Sequence, residues 1–248
     1  MEAKKFIFLF TFFILNNLYS NEKKFNIGYL IVATGRYIEF VKPLIESAKK
    51  YFLKKHNVKF FVFTDDKNIQ STNEIVILTH SRLGWPFDTM NRYHVYYKYK
   101  DCYEKMDYLF ATDADYKFIN FVGDEILGER VAIQHPGFVG KRGSYETNVI
   151  SKAYVAPKEG TCYFAGGICG GTKNEFLKLA KTIYENVDED LKKKYIAIWH
   201  DESHLNRYFI NFKPTVILTP EYGWPEEIKT DRKIKGLFLL KNHNDYRK

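Results

Sequence analysis

The chain has 248 residues, of which 45% are hydrophobic and 17% aromatic, so it can bury a sizeable core in one or two domains. Its formal net charge of +8 favours an anionic partner, but the basic residues are scattered and the densest run, at 192–194, lacks interleaved aromatic residues, which excludes a nucleic-acid-binding class. Three cysteines without CxxC spacing do not indicate a zinc site; we interpret them as packed thiols, with a Cys162–Cys169 bridge as the alternative.

Residues 1–24 form the first predicted segment, a hydrophobic signal or anchor. Lys4 and Lys5 precede an apolar stretch at 6–15, and the small residue Ser20 follows. This order is typical of a secretory signal. The stretch is shorter than the roughly 20 residues of a spanning helix, so an anchor is the second choice and a buried strand the third. We predict an exported or membrane-associated protein, cytoplasmic if the segment is not a signal, with one folded domain over residues 25–248.

Strands and helices alternate along that domain. Apolar, β-branched runs predict strands at 27–34, 58–66, 74–80, 106–112 and 130–135. Apolar residues at helical spacing predict helices near 40–52, 90–100, 176–184 and 205–212. The alternation predicts a single α/β domain with a Rossmann-like, mostly parallel central sheet flanked by helices.

The stretch LFATDADYKF, at 109–118, ends a predicted strand in Asp113 and Asp115. Residues two apart in an extended chain point the same way, so both carboxylates should face one pocket beyond the sheet edge, near loop 33–37 and Asp65-Asp66. Paired carboxylates are costly to bury without a cation. Mg²⁺ and Mn²⁺ use few carboxylates and complete their shells with water and phosphate oxygens. The pattern therefore predicts a metal–diphosphate site; an ordinary polar turn is the alternative.

Three later motifs allow two interpretations each. CYFAGGICGG, at 162–171, contains four glycines in its last six residues, which indicates either a ligand close to the backbone or tight packing. WHDESHLNRYF, at 199–209, sets an aromatic residue beside two carboxylates, which suits sugar binding or the charged start of a helix. The ending LKNHNDYRK is either a frayed tail or a flap that closes over a diphosphate.

Taken in order, these motifs resemble glycosyltransferase family 6, which includes the blood-group A and B transferases. The landmarks run from ATGRYIEF through GWPFDTMNRY, DADYKF, HPGF, YFAGGICGG and WHDESHLNRY to KNHNDYR, nearly the whole chain after the N-terminus. The resemblance implies a GT-A fold and a retaining hexosyltransferase that moves GalNAc or Gal from a UDP-sugar to the 3-hydroxyl of a galactose-terminated glycan, either plain or fucosylated.

The resemblance also assigns roles to matching residues. Asp113 and Asp115 match the metal-binding D-x-D motif, with Mn²⁺ expected and Mg²⁺ as the alternative. Glu202 matches a carboxylate that either attacks the anomeric carbon or stabilises its positive charge. His135 and Trp199, together with Glu202, match acceptor contacts. The positions that match donor contacts are Ala33, Thr34, Tyr37, Arg92, Asp113, Ala114, Ala165, Gly166, Gly167, Asp201, Lys241 and Arg247.

Some choices within this resemblance remain open. The small residues at 165–167 leave room for an N-acetyl group and favour UDP-GalNAc over UDP-Gal, whereas Val32 replaces an aromatic residue common in relatives and thins the uridine contact. A non-catalytic sugar-binding protein is one rival, although it would need neither D-x-D nor Glu202. A metal-dependent nucleotidyltransferase is the other, although its loop is usually richer in glycine than 33–37.

Overall fold

The protein, seen in a computed structural model that describes residues 23–239 and 242–247, is built on two sheets. Its strands are β1 (Asn26–Val32), β2 (Asn57–Thr64), β3 (Ile75–Thr79), β4 (Tyr108–Thr112), β5 (Tyr116–Phe118), β6 (Arg130–Gln134), β7 (Phe164–Thr172), β8 (Val216–Leu218), β9 (Trp224–Pro225) and β10 (Gly236–Phe238). The main sheet has seven strands in the order β3-β2-β1-β4-β7-β6-β8, and β5, β10 and β9 form a small second sheet.

The main sheet is mostly parallel, as predicted. Strands β3, β2, β1 and β4 run parallel to one another, and β6 runs parallel to β8. Only β7 runs the other way, between β4 and β6. The carboxyl ends of β1, β2 and β4 therefore meet at one edge, where ligands bind in such sheets.

Six helices complete the described part of the fold: α1 (Val41–Tyr51), α2 (Phe87–Met90), α3 (Arg92–Lys98), α4 (Lys173–Lys192), α5 (His200–Asn211) and α6 (Asn244–Arg247). One face of the main sheet packs on α1, through residues such as Leu44 and Ala48. The other face packs on α3, α4 and α5, through residues such as Tyr96, Phe176 and Leu205. Strand β1 is buried on both faces because its side chains alternate between the two cores, which explains its unbroken apolar sequence.

The glycines of β7 are largely explained by packing. A β-carbon on Gly170 would lie 2.1 Å from the Phe110 ring, and one on Gly171 would lie 2.1 Å from the Glu129 carbonyl oxygen. Any larger residue would push β7 away from its neighbours, so a strand forms here despite the low strand propensity of glycine. For these two positions the tight-packing interpretation holds.

Several local expectations differ from the structure. The helix predicted near 90–100 is split into α2 and α3, with a 3₁₀ turn at Lys100–Tyr103 after them. Asp113 and Asp115 lie in a tight turn between β4 and β5 instead of in extended chain. The three cysteines, all within the described range, are unpaired thiols. None of the described helices combines the length and apolar character needed to cross a membrane. The predicted signal or anchor at residues 1–24 lies outside the described residues, apart from its last two positions.

Candidate active site

A cavity of about 200 Å³ opens at the edge where β1, β2 and β4 end. Its walls combine acidic, basic and aromatic side chains, which suits a ligand that carries both a ring and negative charge. The lining residues are Val32, Thr34, Tyr37, Arg82, Trp85, Asp88, Thr89, Arg92, Tyr96, Thr112, Asp113, Ala114, Asp115, His243, Tyr246 and Arg247. Seven of the predicted site residues are among them: Thr34, Tyr37, Arg92, Asp113, Ala114, Asp115 and Arg247.

The loop after β1 forms one wall. Gly35 has a φ of +54°, a conformation that glycine adopts without strain, and its N–H donates to Asp65 Oδ1 at 2.8 Å. Asp65 therefore fixes the loop and does not line the cavity. Tyr37 faces the cavity, whereas Ala33 is fully buried beneath it.

The turn that carries Asp113 and Asp115 brings both residues to the cavity. The Asp113 N–H donates to the Gly167 carbonyl at 3.0 Å, and the Leu239 N–H donates to the Asp115 carbonyl at 2.9 Å, so both sheets hold this turn. The Asp113 side chain is 34% exposed, whereas Asp115 is only 2% exposed. Although the chain is not extended here, Asp113 and Asp115 both line the same cavity.

Two oxygen donors of this kind fit a hard divalent cation. No group of three or more His, Cys, Asp or Glu residues suited to a metal occurs in the described part of the chain, so these side chains alone do not complete a coordination shell. Mg²⁺ and Mn²⁺ take most of their ligands from water and phosphate, whereas structural zinc needs four protein ligands. The donor set thus fits the first kind of ion.

Arg92 joins the cavity to α5. Its Nη1 donates to Asp113 Oδ1 at 2.6 Å, and its Nε lies 2.9 Å from Asp201 Oδ2. Burial opposes the charge of Arg92, but the two carboxylates outweigh it and raise the pKa of the guanidinium. Burial raises the pKa of Asp201 to about 7, against the opposing effect of Arg92. Asp201 Oδ2 is buried, and its described partner is the Arg92 guanidinium, although no well-directed hydrogen bond from the described residues reaches it.

Glu202 lies in the first turn of α5, next to β7. The Tyr163 hydroxyl donates to its Oε1 at 2.8 Å, and the Gly166 N–H donates to its Oε2 at 2.7 Å. The Gly166 carbonyl accepts from Arg92 Nη1 at 3.4 Å, so a single residue of β7 connects Glu202 to the cavity wall. Burial raises the pKa of Glu202, and the two donors oppose that rise.

The small residues of β7 at 165–167 give these side chains room. A β-carbon on Gly166 would lie 3.0 Å from Glu202 Cβ, and one on Gly167 would lie 2.9 Å from Asp113 Oδ2 and 2.6 Å from the Phe238 ring. Neither glycine lines the cavity. Their small size is therefore required first by the close approach of both carboxylates to the strand.

The predicted acceptor contacts His135 and Trp199 do not line the cavity. Trp199 is 47% exposed, and its Nε1 donates to Ser144 Oγ at 2.7 Å. His135 accepts from the Gly137 N–H, and its ring lies 5.8 Å from that of Tyr163. Tyr163 thus contacts both Glu202 and the segment that carries His135. The carboxylate of Glu146 accepts from the Asn148 and Ile198 N–H groups and so joins loop 144–150 to the start of α5.

The described end of the chain lies across the mouth of the cavity. The Arg247 guanidinium lies 3.4 Å from the centre of the Trp85 ring, and the Tyr37 hydroxyl is 3.1 Å from His243 Nδ1. The Trp85 ring packs in turn against His200, at the start of α5, with ring centres 4.7 Å apart. His200 has a φ of +51°, an uncommon conformation for this residue type that recurs at functional sites. Lys241 falls outside the described residues, so its assignment stays a prediction.

Several residues of the site have no local signature in the sequence. Trp85 belongs to the motif GWPFDTMNRY and Arg82 lies two residues before that motif, but nothing in their spacing assigns them to the cavity. His243 and Tyr246 could have been inferred from the flap interpretation of the tail. Tyr163 is a fully buried aromatic residue that only its contact with Glu202 marks.

Comparison with known proteins identifies relatives of this chain. A model of the family described as Glycosyltransferase family 6 matches residues 8–248. The chain is 34% identical to Histo-blood group ABO system transferase 1 of Rattus norvegicus over 240 residues, which cover 89% of this chain and 68% of that protein. It is 33% identical to Globoside alpha-1,3-N-acetylgalactosaminyltransferase 1 of Mus musculus, covering 84% and 64%. It is 30% identical to N-acetyllactosaminide alpha-1,3-galactosyltransferase-like 1 of Mus musculus, covering 88% and 72%.

Proposed function

The chain belongs to glycosyltransferase family 6, and from this premise we propose that it is a retaining α1,3-hexosyltransferase. Its donor is a nucleotide sugar, UDP-GalNAc or UDP-Gal, and its acceptor is a galactose-terminated glycan. Relatives that are 33% and 30% identical carry names that specify α1,3 transfer of N-acetylgalactosamine or galactose. The fold, with its single α/β domain and mostly parallel sheet, is the architecture expected of a GT-A enzyme.

One observation carries the proposal most directly: Arg92 contacts both Asp113 and Asp201. This contact couples the carboxylates of the cavity to the first turn of α5, where Glu202 follows Asp201. A sugar nucleotide needs its diphosphate and its reacting carbon held at fixed separation, and a rigid charge cluster provides such spacing.

Asp113 and Asp115 would hold a divalent cation, for which we favour Mn²⁺. When bound, such a cation neutralises negative charge on a departing nucleoside diphosphate. Arg82, Arg92 and Arg247 line the same cavity and add positive charge at fixed positions. Because these guanidinium groups are organised before the ligand arrives, they stabilise the charge that develops in the transition state more than they would in water.

Glu202 is the group that we assign to the reacting carbon. Loss of the nucleotide leaves positive charge on that carbon, and a nearby carboxylate stabilises it. Two retaining routes use this carboxylate differently: in one it forms a covalent bond, and in the other it acts through its charge alone. Mass spectrometry of enzyme incubated with a fluorinated donor distinguishes them, because only the first route adds a sugar to Glu202.

For the donor we propose UDP-GalNAc in preference to UDP-Gal. Ala165, Gly166 and Gly167 leave the smallest side chains available beside Glu202 and Asp113. The close contacts of both glycines already require small residues at these positions. The support for UDP-GalNAc that remains is the room that these residues leave for an N-acetyl group. A donor panel tests the choice, and a clear preference for UDP-Gal would contradict it.

The function itself is tested by following the fate of UDP. Purified enzyme is incubated with UDP-GalNAc, Mn²⁺ and plain or fucosylated galactosides, and released UDP and glycan products are quantified. We expect UDP release and an α1,3-linked product, both lost in Asp115→Ala. Release of pyrophosphate would identify a nucleotidyltransferase, and glycan binding without turnover would identify a sugar-binding protein.

For location we propose export or membrane association through the N-terminal segment. Cell fractionation of the full chain, compared with a chain in which Lys4, Lys5 and residues 6–15 are replaced by polar residues, tests this. Recovery of both in the same soluble cytoplasmic fraction would contradict the proposal.

A further inference from the structure

We propose that Tyr163 is a positioning residue for Glu202: its hydroxyl holds one carboxylate oxygen of Glu202 while the Gly166 N–H holds the other, and this fixes both the orientation and the ionised state of Glu202. The inference rests on the proposed function only where it concerns turnover. Its geometric basis is independent of that function.

The two hydrogen bonds are short and directed at different oxygens. Tyr163 donates to Oε1 at 2.8 Å and Gly166 donates to Oε2 at 2.7 Å. A carboxylate that accepts hydrogen bonds at both oxygens cannot rotate about its Cγ–Cδ bond without breaking one of them. Hydrogen bonds to charged groups are also stronger than those between neutral groups. Glu202 is therefore held in one orientation before any ligand binds.

Tyr163 is itself held on all sides. It is fully buried, and it packs against the rings of Tyr145, Phe138 and His135 at 5.1, 4.9 and 5.8 Å between ring centres. A β-carbon on Gly143 would lie 2.3 Å from Tyr163 Cβ, so the backbone at Gly143 also packs closely against Tyr163. Burial raises the pKa of the Tyr163 phenol, which keeps it a proton donor at ordinary pH. The hydroxyl thus stays in position to donate.

The main chain on which Glu202 sits is fixed separately. The side chain of Asn206, one turn along α5, bonds both the N–H and the carbonyl of Phe164, at 2.9 and 2.8 Å, and also the carbonyl of Glu202 at 3.0 Å. Because Phe164 follows Tyr163 directly, the backbone of α5 is attached to the same stretch of β7 that supplies both donors. With the backbone fixed, the rotation of the Glu202 side chain remains, and the hydroxyl of Tyr163 restricts it.

The charged groups around Glu202 act in opposite directions. Asp113 and Asp201 disfavour its ionised form, and Arg92 favours it. Burial has the largest effect on the pKa of Glu202 and disfavours its ionisation, and the hydrogen bonds from Tyr163 and Gly166 oppose this effect. Removing the hydroxyl should leave Glu202 protonated up to a higher pH.

The test compares Tyr163→Phe with Tyr145→Phe, a matched control. Tyr145 lies in the same aromatic cluster, but its hydroxyl donates to the Cys162 carbonyl at 2.7 Å and not to Glu202. For Tyr163→Phe we expect kcat to fall about 10- to 100-fold with little change in donor KM, and the acidic limb of the kcat profile to move to higher pH. Tyr145→Phe should leave the position of that limb unchanged.

A second measurement needs no turnover. The unfolding free energy of both variants is measured as a function of pH. In Tyr163→Phe the loss of unfolding free energy relative to wild type should grow as pH rises, because the hydrogen bond from Tyr163 stabilises ionised Glu202 more than protonated Glu202. In Tyr145→Phe the loss of unfolding free energy should not change with pH. Superimposable pH profiles for Tyr163→Phe and wild type, or equal shifts in both variants, would overturn the inference. An inactive wild-type enzyme whose stability curves still diverge as described would overturn the proposed function and leave the inference standing.

Discussion

At the scale of single residues, burial sets the charge states on which the site depends. Asp201 and Glu202 are adjacent, both are removed from water, and burial raises the pKa of each. Arg92 and the two donors of Glu202 counter that effect without removing it. The ionised form of such a carboxylate is less stable in the folded protein than in water. Buried ionisable groups of this kind are common at functional sites and lower the stability of the folded state.

Glu202→Gln should separate stability from activity. The amide keeps the shape of the side chain and can pair with both Tyr163 and Gly166, but it carries no charge, so transfer should fall on the order of 100-fold or more. Because the folded pKa of Glu202 is raised, ionising it weakens the wild type as pH rises through that pKa. The unfolding midpoint of the variant should therefore equal or exceed that of wild type at pH 8 and lose this advantage at acidic pH.

Chemical denaturation at both pH values, with UDP release as the activity measurement, checks this expectation. A variant that is markedly less stable than wild type at pH 8 would contradict it.

Arg92→Lys should abolish the coupling between the cavity and α5. A lysine ammonium is a single point of charge and cannot donate from two nitrogens to Asp113 and Asp201 in the geometry of a guanidinium. We expect kcat/KM to fall about 100-fold. The control is Arg130→Lys, since Arg130 also joins several partners, among them Glu175 and the Lys213 carbonyl, but lies away from the cavity. Equal activity of Arg92→Lys and wild type would contradict the role given to Arg92.

At the scale of elements, the contact between β7 and α5 determines the geometry of the site. Strand β7 supplies Gly166 and follows directly on Tyr163, and α5 carries Asp201 and Glu202. Their junction is polar as well as apolar, because Asn206 is only 1% exposed and bonds the backbone of Phe164. A shift of α5 along the strand would move both carboxylates at once.

Asn206→Ala should be strongly destabilising. It removes three hydrogen bonds and leaves the N–H and carbonyl of Phe164 buried without those partners, so we expect a loss of about 3 kcal/mol in unfolding free energy. Asn211→Ala, at the exposed end of the same helix, is the control and should cost far less. Urea denaturation measures both, and similar losses would contradict the proposed importance of this junction.

The elements also show what the sequence can and cannot predict. The long apolar strands β1, β2 and β4 and the periodic stripe of α1 were predictable because both are set by local pattern. Strand β7 was ambiguous, since its glycines are explained only by Phe110 and Glu129 on neighbouring strands. The small sheet was not predicted because its strands have only two or three residues. The role of Tyr163 could not be predicted from local sequence, because its partner Glu202 is 39 residues away along the chain.

At the scale of the whole molecule, the fold brings four distant parts of the chain to one cavity. The loop after β1, the segment 82–96, the turn after β4 and helix α6 near the chain end all line it. The described part of the tail already contacts Trp85 and Tyr37, so the mouth of the cavity is partly covered in this structure. Basic side chains concentrate on the same walls as Asp113 and Asp115, which is the charge distribution that a metal-bound diphosphate requires.

The proposed role of Asp113 and Asp115 is to bind a divalent cation that transfer from a sugar nucleotide requires. The most direct measurement is the initial rate of UDP release from UDP-GalNAc, with acceptor present, by enzyme stripped of metal and then supplied with Mn²⁺. The account predicts that stripping lowers the rate on the order of 100-fold or more and that Mn²⁺ restores it. A stripped enzyme that transfers sugar at the full rate would contradict the account.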